Sequence, residues 1–266
     1  MYSFFLADTF FSVKTYEGNL PNTELEAHLR KYADQIDRFK KGSLVWKLNN
    51  EGHLDAPAWF CSLIELCIEM NKETKGAFDI TLGELADLWG FPGDDHHVPV
   101  PEDIKAFLAK KRIISVEANE VKKENCVIDL GAVGKGFRLE IAQEFLNGNG
   151  INTYLLNFGG NVSCWGNRKY KVGLQDPRDS SGSYYKVIKL DNNAVSTSGD
   201  YQRYFFEKDK RYCHIFDPLT GYPATGYSSV SVICNSAVLS DILSTAFFVA
   251  GESLAGTFPD AESHFK

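Results

Sequence analysis

The run "SDILSTAFFVAG", residues 240–251, places Asp241 and Thr245 four residues apart in a segment that is otherwise mostly apolar. On a helix, positions i and i+4 leave from the same face. Ile242, Leu243, Ala246, Phe247, Phe248 and Val249 surround them, and a carboxylate in such company is costly without a donor or a positive charge beside it. A carboxylate and a hydroxyl on one face offer two hard oxygen ligands to Mg²⁺. The plainer alternative has Thr245 bonded to its own helix carbonyl and Asp241 capping the helix or facing solvent near its start.

Two further stretches carry chemistry. In "VIDLGAVGKGFRLEIAQEF" a strand ending at Ile128 runs into Gly131, Gly134 and Gly136 and then a helix. Backbone amides at that helix start, together with Lys135, make an anion cradle. The pattern is not a Walker A loop, since Asp129 and Gly136 stand where that loop requires Gly and Ser or Thr. In "HIFDPLTGYPATG", His214 precedes the turn Asp217-Pro218-Leu219-Thr220-Gly221. A histidine there suits a general base, or a strand-end ring bonded to a loop carbonyl. "DDHH" at 94–97 follows Phe91-Pro92-Gly93 in a loop, where solvated charge is the default rather than a metal cluster.

Positioning these groups falls to a helix-rich first half and a strand-rich second half. Thr23-Glu24-Leu25-Glu26 has the capping-box pattern, opening a helix with Leu25, Leu29, Tyr32, Ile36 and Phe39 on one face. A second helix begins near Pro57 and stops at Gly76, and a third begins at Pro101. A first strand carries Phe11, Val13 and Thr15. Short strands fall at Ile113 to Val116 and at "CVIDL", and a helix from Gly134 to Gly148 shows Phe137, Ile141, Phe145 and Leu146. Then "TYLLNFGG", "KYKVGLQD", "YYKVIKL", "RYFFE", "RYCHIFD" and "YSSVSVIC" read as strands. The order predicts an α+β class with antiparallel sheets. With no internal repeat or linker, residues 1–266 are expected to form a single domain.

The net charge of −7 gives no electrostatic footprint for nucleic acid and argues against anionic membrane surfaces. No apolar run approaches the roughly 18 residues that a span needs. Six cysteines, without CxxC or metal-like spacing, suit reduced thiols in the cytoplasm better than a disulfide framework.

Taken in order, "AFDITLGELADLWGF", "DLGAVGKG", "NFGGNV", "VGLQDPRD", "STSGDY", "HIFDPLTG" and "SDILSTAFFVAG" resemble the ApbE-type FAD:protein FMN transferases over nearly the whole chain. The resemblance implies a T-fold-related α+β architecture with FAD in a cleft. It also implies a Mg²⁺-dependent reaction in which a Ser or Thr hydroxyl of a target protein receives FMN through a phosphoester and AMP leaves. It assigns the metal to Asp241, Thr245 and the carbonyl of Ala132, and FAD contacts to Ala77, Phe78, Asp79, Asp129, Lys135 and Ile215. His214 takes the position of the family's proposed base. The implied partner is an acceptor flavoprotein with an Asp-x-x-Ser/Thr-Gly-Ala-Thr motif.

Two features depart from the family. Ala7-Asp8-Thr9 replaces the usual Met-Gly-Thr, so no flavin contact is carried over to Ala7. The exported lipoprotein signal is not seen, which favours a cytoplasmic target. At "DPLTGYPAT", Tyr222 and Pro223 break the acceptor spacing, so self-flavinylation is not expected. Two alternatives keep the same residues: a Mg²⁺-dependent FAD pyrophosphatase yielding FMN and AMP, and a non-catalytic FAD carrier.

Overall fold

Alternation in "TFFSVKT" buries Phe11 and Val13 completely and leaves Phe10 exposed, as in a strand with one face on a core. The computed structural model describes residues 1–179 and 181–266 and makes this strand half of an opening hairpin. β1 (Tyr2–Leu6) and β2 (Thr9–Thr15) are followed by α1 (Asn22–Gln35), α2 (Leu44–Glu51), β3 (His53–Asp55) and α3 (Ala58–Glu73). Next come α4 (Gly83–Leu88), α5 (Pro101–Leu108), the hairpin β4 (Ile113–Glu117) and β5 (Glu120–Glu124), and α6 (Gly134–Gly148). The strand-rich half holds β6 (Tyr154–Phe158), β7 (Asn161–Trp165), β8 (Tyr170–Gln175), β9 (Tyr184–Leu190) and β10 (Ala194–Gly199). β11 (Tyr204–Glu207), β12 (Lys210–Cys213), β13 (Ser229–Cys234), α7 (Ala237–Ala250), α8 (Glu252–Ala255) and β14 (Glu262–Phe265) complete the chain.

The main sheet is antiparallel with the order β1-β2-β6-β7-β10-β13-β14. α7 lies across β10, β13 and β7, and α6 packs against α7 and α1. The largest apolar cluster fills this layer, with Phe11, Leu25, Leu29, Phe158, Ile242, Phe247 and Phe248 among its members. The β8–β9 hairpin covers the opposite face of the sheet through Leu174, Ile188 and Leu190 against Val162, Cys164 and Val195. A third cluster gathers Leu85, Trp89, Phe91, Ile104, Phe107 and Phe216. This cluster fastens the "LWGF" segment to the His214 strand end: Trp89 Nε1 donates to the Gly221 carbonyl at 3.0 Å.

The α+β order holds, with several local corrections. α1 starts after Pro21 and has no side-chain cap, so the capping box is not formed. Phe39 falls beyond the end of α1, 62% exposed, with the Arg38 guanidinium 4.3 Å over its ring. "CVIDL" is not a strand; Val127 makes only an isolated bridge to Leu82, and β4 pairs with β5. α2, α4, α8 and strands β1, β3, β5, β7, β10 and β14 add to the expected elements. The strand expected through "RYCHIFD" ends at Cys213, leaving His214 just outside it.

Candidate active site

Asp241 sits in the second turn of α7 and is 2% exposed. It caps neither its own helix nor solvent: Ser236 caps α7 by accepting from the Leu239 amide. The Asp241 carboxylate instead accepts the Gly136 amide on Oδ2 at 2.8 Å and the Asn161 Nδ2 on Oδ1 at 2.7 Å. It therefore stands at the N-terminus of α6, where an anion is favoured by the free amides and the helix dipole. Lys135 Nζ lies 3.8 Å from Oδ1.

This arrangement depends on Gly136. A Cβ there would stand 2.3 Å from the Ala237 carbonyl oxygen and 2.8 Å from the Asp241 Cβ. Only a residue without a side chain lets α7 approach the start of α6 so closely. Gly136 is the third residue of α6, so its N–H has no acceptor within the helix, and Asp241 satisfies it. Among the described residues, no backbone amide donates to the Ala132 carbonyl, and the amides of Gly134 and Lys135 have no backbone acceptor. The anion cradle read from the glycines is thus partly filled by Asp241, with two amides remaining.

Thr245 is one turn along α7. Its hydroxyl is 3.1 Å from the Ser198 Oγ and 3.4 Å from the Asp241 carbonyl. Ser198 in turn meets Ser244 at 2.8 Å, and Ser196 meets Ser240 at 2.8 Å. The polar stripe of α7 is therefore paired with hydroxyls on β10, a match that permits both to be buried.

His214 follows β12. Its Nδ1 is 3.1 Å from the Arg203 carbonyl, which also accepts the His214 amide at 3.2 Å. A carbonyl accepts only, so Nδ1 carries the proton and Nε2 keeps its lone pair. The ring retains partial exposure. Burial pushes its pKa down to about 4; the cations of Arg203 and Lys135 add to this, while the Arg203 carbonyl opposes it. The histidine is neutral at pH 7, and the strand-end reading and the base reading are compatible. Lys135 bears electrostatically on both Asp241 and His214, so the two lie around one site.

The remaining expected residues are held by neighbours that sequence reasoning did not identify. Asp129 accepts the Gly131 amide at 2.8 Å and pairs with Arg38 Nε at 2.9 Å, although the Nε–H is not aligned for a hydrogen bond. Arg38 also forks onto Asp87 at 2.6 and 3.2 Å. Asp79 accepts from the Thr81 amide and hydroxyl at 2.8 and 2.6 Å, with Arg112 Nη2 at 3.4 Å. The Asp129 amide donates to the Ile80 carbonyl, which brings these two segments side by side. Phe78 is fully buried, its amide bonded to Thr74 and its carbonyl to Asn71, so it seats Asp79 and offers no free polar group. Ala77 is half-buried beside it, and Ile215 is buried next to His214.

A cleft of about 650 Å³ runs past Gly76, Asp79, Thr81, Arg112, Pro218 and Leu219. It joins the Asp79 segment to the "DPLTG" turn. That turn is closed by Asp217, which accepts from the Leu219 amide and the Thr220 hydroxyl. The "DDHH" residues do other work: the His96 ring stacks on Phe205, and His97 Nδ1 meets the Asp95 carbonyl at 2.9 Å. Asn161, Arg38 and Arg203 are the contributors missed from sequence. Only Asn161 left a trace, as a polar residue in "NFGGNV" that must find a partner if buried.

Known proteins share this architecture. The ApbE family model matches residues 7–263. An FAD:protein FMN transferase of Vibrio cholerae is 30% identical over 246 residues, covering 86% of this chain and 73% of the relative. One from Haemophilus influenzae is 30% identical over 264 residues, covering 92% and 75%. The crystal structure of the ApbE protein of Thermotoga maritima superposes with a TM-score of 0.89 at 30% identity, covering 99% of this chain and 93% of that one. Apo flavinyl transferase ApbE of Pseudomonas stutzeri gives 0.87 at 26% identity, covering 99% and 89%. The chain belongs to the ApbE family.

Proposed function

We propose that this protein is a Mg²⁺-dependent FAD:protein FMN transferase. The observation that carries the reading is the meeting of α6 and α7, where the buried Asp241 carboxylate stands against the Gly136 amide with the Lys135 ammonium 3.8 Å away. Thr245 one turn along α7 and the Ala132 carbonyl just before α6, which accepts no backbone amide among the described residues, are the further oxygens we assign to the site. These donors are all hard oxygens, the set that suits Mg²⁺. Asp241, Thr245 and the Ala132 carbonyl would hold the ion, which when bound spreads negative charge developing on a pyrophosphate.

The chain's own groups do the rest. The amides of Gly134 and Lys135 and the Lys135 ammonium bind phosphate oxygens of FAD. Asp79, Asp129, Ala77 and Ile215 would make the further FAD contacts, with the buried Phe78 supporting Asp79 from the core. His214 Nε2 takes the proton from the acceptor hydroxyl as its oxygen attacks the FMN phosphorus. The phosphoester bond forms, the pyrophosphate bond breaks and AMP leaves. The acceptor is a flavoprotein segment with the Asp-x-x-Ser/Thr-Gly-Ala-Thr pattern. All six cysteines are free thiols, which suits the reducing cytoplasm, and no helix among the described residues is long and apolar enough to cross a membrane.

The test is an intact-mass measurement of an acceptor domain incubated with protein, FAD and Mg²⁺, with AMP assayed in parallel. An acceptor heavier by one FMN residue, matched by AMP, is the expected result. AMP and free FMN with an unmodified acceptor would make the protein a pyrophosphatase. Bound FAD without AMP would make it a carrier.

A further inference from the structure

Asp241 raises a problem in the metal-free protein. Its carboxylate is almost fully removed from water, and its two hydrogen bonds come from neutral donors, the Gly136 amide and the Asn161 side chain. Neutral donors solvate the charge without cancelling it. Among the described residues, Lys135 is the one cation within 4 Å of it. The buried Arg138 guanidinium also bears electrostatically on Asp241, but among those residues it makes no ion pair within 4 Å and is fixed by Nη1 donating to the Gly134 carbonyl at 3.0 Å, so it cannot move to a ligand.

Lys135 is placed differently. It is 31% exposed, on the first turn of α6, and 3.8 Å from Oδ1, beyond hydrogen-bond distance. A lysine ammonium is a mobile point charge on a flexible stem. The same charge contributes to the lowered pKa of His214.

We propose that Lys135 is the resident counter-ion of Asp241, competing with the divalent cation for that carboxylate, and that cation binding releases its ammonium to the pyrophosphate. The inference rests on the metal reading above and adds an order to it: the cation enters against the lysine, and the lysine is then free for FAD. The same residue thus weakens metal binding in the empty protein and strengthens nucleotide binding in the metal-loaded one.

Direct titration with Mn²⁺ in the absence of FAD tests this, with free Mn²⁺ followed by electron paramagnetic resonance. Two unit charges at this separation interact even in bulk water by enough to change an equilibrium about fivefold, and more in a partly buried site. Lys135→Gln and Lys135→Met are therefore expected to bind Mn²⁺ at least about fivefold more tightly than wild type. Lys135→Arg, which keeps the charge, should stay near the wild-type value. Thermal melts establish that each variant is folded, and the Gln and Met variants back each other if one fails. Unchanged or weaker Mn²⁺ binding in both neutral variants, or equal tightening by Arg, overturns the proposal. Asp241→Asn separates the two levels: if it binds Mn²⁺ as wild type does, the metal reading itself fails. If it loses Mn²⁺ while the neutral lysine variants show no gain, only the competition fails.

Discussion

Gly136→Ala adds one methyl group at the most crowded backbone crossing of the site. The new Cβ would sit 2.3 Å from the Ala237 carbonyl oxygen and 2.8 Å from the Asp241 Cβ, so side-chain rotation cannot relieve the clash. α6 and α7 must part by about 1 Å, and overpacking of this kind costs about 1–3 kcal/mol or more. Alanine's better helix propensity returns up to about 1 kcal/mol, leaving a net loss of about 1–2 kcal/mol. Gly148→Ala is the internal control. It lies at the other end of α6, its added Cβ meets nothing within 4 Å, and its φ is not positive. There the propensity term acts alone, and a gain of a few tenths of a kcal/mol is expected. At about 2–4 °C per kcal/mol for a chain of this size, the two variants should melt about 3–10 °C apart. The same displacement carries Asp241 off the Gly136 amide, and a 1 Å error at a reacting centre costs on the order of 100-fold in rate. Differential scanning calorimetry and AMP release check both effects. Equal melting temperatures, or a Gly136→Ala variant with wild-type turnover, would refute the claim that this crossing is what builds the site.

Three other perturbations follow from single contacts. Asn161→Leu removes one of two donors to a buried carboxylate and should destabilise the protein by about 1–3 kcal/mol; it should also raise the Mg²⁺ concentration needed for half-maximal AMP release. Chemical denaturation and a Mg²⁺ titration read these out, and a variant as stable as wild type would show that Asp241 does not depend on the amide. His214 is held near 4, below its usual 6.5, so between those values the unfolded chain binds more protons than the folded one. Its contribution to stability is therefore complete above about pH 6.5 and lost as pH falls through about 4. In the free enzyme its acid limb in kcat/KM should fall near pH 4; a limb at 6.5 that vanishes in His214→Gln would contradict the lowered pKa of this ring. In the β1–β2 turn, Ala7 and Asp8 both have positive φ, 45° and 62°, a conformation that glycine adopts without steric cost. Asp8→Gly should gain about 0.5–1 kcal/mol, and a lower melting temperature would show that the Asp8 side chain makes a compensating contact.

The legible parts of the fold are those governed by local periodicity. Leu25 and Leu29 on α1, and Phe11 and Val13 on β2, announce their faces because one side of each element is buried. β10, "AVSTSG", gives no such signal. Its Ser196 and Ser198 are turned to the core side, where Ser240, Ser244 and Thr245 meet them. A strand whose buried face is hydroxyl-lined looks like a loop until its partner helix is known. "CVIDL" misleads in the opposite way: it is apolar because it is buried beside Leu82 and Asn49, not because it is paired along its length. The site divides likewise. Asp241, Thr245, Lys135 and His214 are visible as chemical types in suggestive places. Arg38, Asn161 and Arg203 act through contacts 91, 80 and 11 residues away in sequence, which no local pattern encodes.

The deepest of these long-range couplings makes a glycine part of the proposed cation site. Because Gly136 has no side chain, α7 can place Asp241 against its amide. The Ala132 carbonyl, one residue before the cap of α6, accepts no backbone amide among the described residues. One absent methyl group thus admits the carboxylate to a helix start that already leaves a carbonyl without a backbone donor. The tight spacing of Gly131, Gly134 and Gly136 around Ala132 and Lys135 is then a requirement of packing as much as of phosphate binding. A phosphate cradle alone would ask only for free amides, which any unhindered helix start provides. It would not ask for a glycine pressed against another helix 105 residues away. The close contact fits the proposed cation site, which would need oxygens from distant parts of the chain at one ion.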